Sequence, residues 1–205
     1  MKLLIIHHDP LSNQTLPQTG GSIRTQHLSE GLQHQLADLD LDLELHWLCK
    51  ATVEGNWRKH IHQHLLSQQW DVVLCTQMED ACLLPDRTTL DCPIVVDLYA
   101  PRLMETMYTE DEGTVARQLL FAIDRADAYL FAHPIQRPHW EALLRLTGVD
   151  LRENRLLLCP LGVDGTDTSS SALSKNDTLT FIGGGRVWPW QNPWQNLERL
   201  LAILD

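Results

Sequence analysis

No stretch of this sequence approaches the roughly 20 consecutive apolar residues needed to cross a bilayer; its longest apolar runs are a handful of residues. No integral membrane segment is therefore expected. The opening MKLLIIHHD turns polar too soon for a secretory signal, and a cytoplasmic location is the expectation. Basic residues are scarce, with 16 Lys and Arg against 27 Asp and Glu and a formal net charge of −11. That surplus repels nucleic-acid phosphates, so no nucleic-acid partner is expected. Cysteines are few and odd in number (Cys49, Cys75, Cys82, Cys92 and Cys159), and no CxxC joins them. They read as reduced thiols in or near a core, not as a disulfide framework or a zinc ribbon. A GxGxxG fingerprint with a following acidic residue is also missing, which puts a dinucleotide-dependent dehydrogenase behind other readings.

What is present is a folding composition, 43% hydrophobic and 21% charged over 205 residues, enough for one full domain and a fragment. Leu3 to Ile6, Val72 to Leu74, Ile94 to Val96, Ala128 to Ala132 and Leu156 to Leu158 are short continuous apolar runs. Strands covered on both faces require such runs. From Leu39 to Trp47 apolar and polar residues alternate instead, which predicts a strand with one wet face near a sheet edge. Helical spacing fills the gaps. Ile23, His27, Leu28, Leu32 and Leu36 share one face of a helix over Ser22 to Leu36, where Gly31 leaves room for close packing. Further helices are expected over Thr114 to Asp124 and over Pro138 to Thr147, the latter stopped by Gly148. The repeated β-then-α rhythm predicts an α/β, Rossmann-like, mainly parallel sheet of about six strands with helices on both faces.

Residues 165–177, GTDTSSSALSKND, are polar and nearly free of large apolar groups, as a linker is. They separate a domain over residues 1–164 from residues 178–205. There the pattern restarts with a strand from Leu179 to Ile182, a triple-glycine loop, and a helix from Pro193 whose apolar face carries Trp194, Leu197, Leu200, Leu201 and Leu204. One strand and one helix do not make a domain, so this stretch is either the opening unit of an incomplete second domain or an appendage of the first.

Ligands of open α/β sheets bind at the carboxyl ends of the strands. The residues there are His7, His8 and Asp9; Thr76 and Gln77; Asp97 and Tyr99; His133; and Gly162 to Asp164. Gly20 and Gly21 open the first helix, either as a ligand-facing loop or as a plain helix start. Asp97 ends an apolar strand, either as a general base or as an acceptor for neighbouring backbone N–H groups. Gly183, Gly184, Gly185 and Arg186 suit a diphosphate, or form only a turn. His60, His62 and His64 have no metal-ligand spacing and read as a solvated face, so no metal is expected.

Read in order, GGSIRTQHLSEGL, IVVDLYAPRLME, ADAYLFAHPIQRPHWEALL, LCPLGVD and FIGGGRVWPWQNPWQNLERLL resemble the retaining GT-B glycosyltransferases of the family 4 kind. The resemblance implies two Rossmann-like domains facing across a cleft, one for the acceptor and one for a nucleotide-sugar donor. It places Gly20 and Gly21 toward the donor phosphate, Asp97 near the reacting sugar, and Gly184, Gly185 and Arg186 at the diphosphate. The nucleotide sugar is then a substrate and no cofactor is needed, while a glycan or other hydroxyl compound is the acceptor. Aspartate stands at 97 where the family commonly has histidine, and the donor domain's Glu-x7-Glu segment is missing. The expectation is an amino-terminal portion that is inactive until a donor domain, on this chain or a separate one, completes it. The competing reading is a non-catalytic binding or partner module built on half of the fold.

Overall fold

The computed structural model describes residues 1–10, 19–39, 41–106 and 112–160. Within them the expected α/β fold is present, a six-stranded, wholly parallel, Rossmann-like sheet. Its strands are β1 (Lys2–His7), β2 (Glu44–Cys49), β3 (Val72–Cys75), β4 (Ile94–Asp97), β5 (Ala128–Phe131) and β6 (Leu156–Leu158), in the order β2-β1-β3-β4-β5-β6. The central run is buried on both faces, Leu3, Leu4, Ile5 and Ile6 of β1 all being buried, whereas in β6 only Leu156 is buried. The alternating stretch forms the edge strand β2, as its wet face requires. It begins only at Glu44, paired with Lys2, because β1, its neighbour, starts there.

The helices are α1 (Gly20–Asp38), α2 (Trp57–Leu66), α3 (Met78–Ala81), α4 (Arg102–Thr106), α5 (Glu112–Arg125) and α6 (Arg137–Leu146). Two apolar clusters lie on opposite faces of the sheet. The larger joins Leu4, Ile6, Val73 and Ile94 to Ile61 of α2, Met78 of α3, Leu119 and Ile123 of α5, and Trp140 and Leu144 of α6. The smaller, around Leu3, Ile5 and Leu74, meets Leu32 of α1. Gly148 ends the α6 turn at φ +86°, the left-handed conformation that glycine adopts at no steric cost.

Helix α1 departs from its apolar spacing. The residues it buries are Gly21, Ser22, Arg24, Thr25 and Ser29, while Ile23, Leu28, Leu32 and Leu36 are only half-buried. The cause is Arg24, whose charge is drawn inward to Asp97 and turns the small polar stripe toward the sheet. Gly31 consequently packs against nothing, with no atom within 4 Å of where its Cβ would lie. The linker over 165–177 and the strand, loop and helix over 178–205 lie outside the described residues.

Candidate functional site

Strand order reverses between β1 and β3, so the loops leaving those strands part and open a crevice at their carboxyl ends. A cleft of about 860 Å³ lies there, walled by His8 and Asp9 after β1, Gln77 and Glu79 after β3, and Asp97 and Tyr99 at the end of β4. Gly20 and Gly21 of α1 line it, as do Arg102 and Glu105 of α4.

The glycines sit at the start of α1 because Thr19 caps it. The Thr19 hydroxyl accepts the Ser22 N–H at 3.0 Å, and the Ser22 hydroxyl accepts the Thr19 N–H at 2.9 Å. The same Thr19 hydroxyl donates to Asp9 Oδ2 at 2.7 Å, so the positive end of the helix already faces a carboxylate. Gly21 is where three strand-end loops meet. A Cβ there would lie 2.8 Å from Asp9 Oδ2, 2.9 Å from Gln77 Nε2 and 3.3 Å from Tyr99 Oη. A carboxylate, an amide and a phenol thus converge on one bare Cα and offer both acceptors and donors to hydroxyl groups. Burial and the nearby Asp97 carboxylate push the Tyr99 phenol up to about 12, so it stays a proton donor at every physiological pH.

Asp97 lines the cleft wall, but its carboxylate is engaged from behind. The Arg24 Nε donates to Oδ2 and a terminal guanidinium nitrogen donates to Oδ1 at 2.9 Å, with both side chains buried. Burial pushes the Asp97 carboxyl above its ordinary value, an effect that the Arg24 hydrogen bonds and charge offset only in part. Both oxygens accept guanidinium hydrogen bonds, which leaves Asp97 poorly placed to take a proton from a ligand. The Arg24 guanidinium lies over the Tyr99 ring at 5.5 Å, so the pair also braces one of the groups that meets Gly21.

The cationic side chain of the opposite wall is committed as well. Arg102 donates to Glu79 at 2.7 Å and to Glu105 at 2.9 Å. Among the described lining residues, His8 is the remaining titratable group of basic type. Its Nδ1 lies 3.4 Å from Asp80 Oδ1, and its Nε2 lies 2.9 Å from the Lys50 ammonium. The hydrogen bond to Asp80 raises its pKa. Asp80 itself is buried and held by the Trp57 indole N–H at 2.7 Å.

Of the residues the sequence singles out, Gly20, Gly21 and Asp97 come together in this cleft, along with His8, Asp9, Gln77 and Tyr99. His133 is elsewhere, capping the turn before α6 by accepting the Ile135 N–H at 3.2 Å. Gly184, Gly185 and Arg186 lie outside the described residues. Arg102, Glu79, Glu105 and the Asp80–Trp57 support escaped the sequence reading, since α3 and α4 are too short to show a periodicity. The three histidines diverge: His60 bonds the Glu54 carbonyl, His62 the Leu83 carbonyl, and His64 stacks on Trp70. Among the described residues no three or more potential metal ligands assemble, and no helix is long and apolar enough to cross a membrane.

Compared with known protein families, curated proteins and solved structures, the chain finds no significant match.

Proposed function

We propose that this chain is the acceptor-side portion of a glycosyltransferase that moves a sugar from a nucleotide-sugar donor to a hydroxyl acceptor, with the retained configuration its motif order implies. The observation that carries this reading is the convergence of Asp9, Gln77 and Tyr99 on Gly21 at the strand-order reversal. A carboxylate and a primary amide at adjacent positions form paired hydrogen bonds to vicinal hydroxyls, and a protonated phenol adds a donor. Anion binding is poorly served on this wall, where Asp9 meets the helix start and Arg102 is neutralised on both sides. The donor diphosphate falls instead to Gly184, Gly185 and Arg186, and Gly20 and Gly21 shape the cleft floor. The chain then holds the acceptor, and departure of the diphosphate needs the opposite wall.

The test is calorimetric titration of the 205-residue chain with methyl glycosides and, separately, with nucleotide sugars, beside a diphosphate-release assay. Glycoside binding that is lost in Asp9→Asn and Gln77→Ala, with no measurable release, is the expected result. A protein extended through a complete second domain is expected to turn over, and Arg186→Ala there weakens donor use by about 1.5–3 kcal/mol, as for a lost charge-assisted bond. Robust turnover by the short chain, or indifference of glycoside binding to Asp9 and Gln77, would refute the assignment. The engagement of Asp97 by Arg24 favours a second reading, a binding module without chemistry, which predicts the same glycoside binding but no turnover in the extended protein.

A further inference from the structure

Negative charge at the cleft exceeds what the protein itself neutralises. Asp97 is balanced by Arg24, but Arg102 serves two carboxylates at once, Glu79 at 2.7 Å and Glu105 at 2.9 Å, and so offsets only one of them. Asp9, at the focus beside Gly21, accepts the Thr19 hydroxyl and forms no ion pair among the described residues. Behind the wall Asp80 is 1% exposed, and its Oδ2 has no hydrogen-bond partner among the described residues. Lys50 is turned to the His8 ring nitrogen and not to a carboxylate. Asp9, Glu79, Asp80, Asp97 and Glu105 thus stand against Arg24, Arg102 and Lys50, five carboxylates to three permanent cations, and protonation of His8 removes only one of the two surplus charges.

The surplus falls on the hydroxyl-binding focus. After burial, the charges that hold the Tyr99 phenol up at about 12 are those of Asp97, Glu79, Asp9 and Glu105, all negative. The sequence that follows Asp9 (11–18, LSNQTLPQ) and the sequence that follows Thr106 (107–111, MYTED) contain neither Lys nor Arg. Clefts lined by one sign of charge focus that field on whatever enters them. An anionic sugar is repelled, a neutral one gains nothing, and a sugar bearing a protonated amine brings the missing positive charge with three N–H donors. We propose, resting on the acceptor reading above, that the acceptor carries a protonated amine beside its hydroxyl groups, as an amino sugar or amino polyol does, and that the surplus charge of Asp9, Glu79 and Glu105 holds it.

The experiment is calorimetric titration of the full 205-residue chain at neutral pH with methyl glucoside, its 2-amino and 6-amino derivatives, the N-acetyl forms of both, and methyl glucuronide. At least one amine is expected to bind about tenfold tighter than methyl glucoside, the gain of one charge-assisted hydrogen bond. Its acetylated form loses that gain, the glucuronide binds more weakly than the neutral sugar, and added salt narrows the differences. Glu105→Gln is expected to lower the amine-to-neutral affinity ratio severalfold and Arg102→Gln to raise it, because the first removes a surplus charge and the second frees one. Amines that bind no tighter than methyl glucoside, or a glucuronide that binds as tightly, overturn the proposal and leave the acceptor reading standing. Failure of every glycoside to bind overturns both, as does ethylammonium binding as tightly as the amino sugars. An amine preference that ignores both Glu105→Gln and Arg102→Gln places the ammonium elsewhere and overturns the proposal as well.

Discussion

Arg24 and Asp97 are 73 residues apart in sequence, and their pairing joins the start of α1 to the end of β4. Relative exposures of 3% and 2% mean that neither charge is screened by solvent. Breaking such a pair from one side leaves an uncompensated buried charge, at a cost of about 3–5 kcal/mol. Arg24→Met is expected to lie in that range. Asp97→Asn, which keeps the shape and one good acceptor, is expected near its lower end. Against a typical total stability of about 5–15 kcal/mol, either loss is severe. In urea, with a slope of about 1–3 kcal/mol per molar, a 3 kcal/mol loss moves the unfolding midpoint by about 1–3 M. The double replacement Arg24→Met with Asp97→Leu removes both charges and is expected to cost far less than the sum of the single changes, because apolar pairs of similar volume often substitute without loss. Chemical denaturation of the parent, Arg24→Met, Asp97→Leu and the double variant, followed by circular dichroism, closes the cycle, with Asp97→Asn measured beside it. Additive losses, or Asp97→Asn within about 0.5 kcal/mol of the parent, would refute the anchoring role and return Asp97 to the reacting sugar as a free carboxylate.

Two glycines of α1 should respond to alanine with opposite signs. Gly31→Ala meets open space and is expected to raise stability by about 0.5–1 kcal/mol, whereas Gly21→Ala drives Asp9 and Gln77 apart, costs about 1–3 kcal/mol and abolishes glycoside binding; thermal melts and calorimetry read both. Burial lowers the pKa of His7 and of His64 below the ordinary histidine value of 6.5. The unfolded chain therefore takes up protons first as pH falls, and stability is expected to drop below about pH 6.5. His8, raised by its Asp80 hydrogen bond, works in the opposite direction, its contribution being lost as pH rises through its folded pKa. Urea midpoints between pH 5 and 8 should show the net loss on the acid side, reduced in His64→Leu; a midpoint that rises on acidification contradicts the burial argument. Asn154 adopts a left-handed φ of 53°, so Asn154→Val should cost about 1–2 kcal/mol while Asn154→Gly is nearly neutral, again by thermal melts.

The strands were legible because burial on both faces demands unbroken apolar runs, and Leu3 to Ile6 satisfies that demand without reference to distant residues; Leu156 to Leu158 reads the same way although only Leu156 is buried among the described residues. The candidate site was half legible for a related reason: in a parallel sheet every strand-end loop emerges on the same side, so Asp9, Gln77, Asp97 and Tyr99 could be picked out by position alone. Their partners could not. Nothing near residue 97 says that its carboxylate is taken by residue 24, and nothing near residue 80 says that Trp57 holds it beneath His8. The orientation of α1 was misjudged for the same cause, since apolar spacing predicts the buried face only when no buried charge competes for it.

The sheet is open, and its two outer strands guard themselves differently. On one side β2 has no strand beyond it among the described residues, yet Glu44 and His46 bond each other at 2.7 Å along it and Lys2 approaches Glu44 at 3.8 Å. A foreign strand adding there would have to desolvate these charges, which discourages edge-to-edge growth. On the other side β6, the last strand among the described residues, is only three residues long, and Leu157 and Leu158 are each 45% exposed. Among the described residues its protection is brevity alone. Between the two outer strands of the described sheet, self-association should therefore start at β6 and not at β2, and a charged residue at position 157 is the substitution that would suppress it.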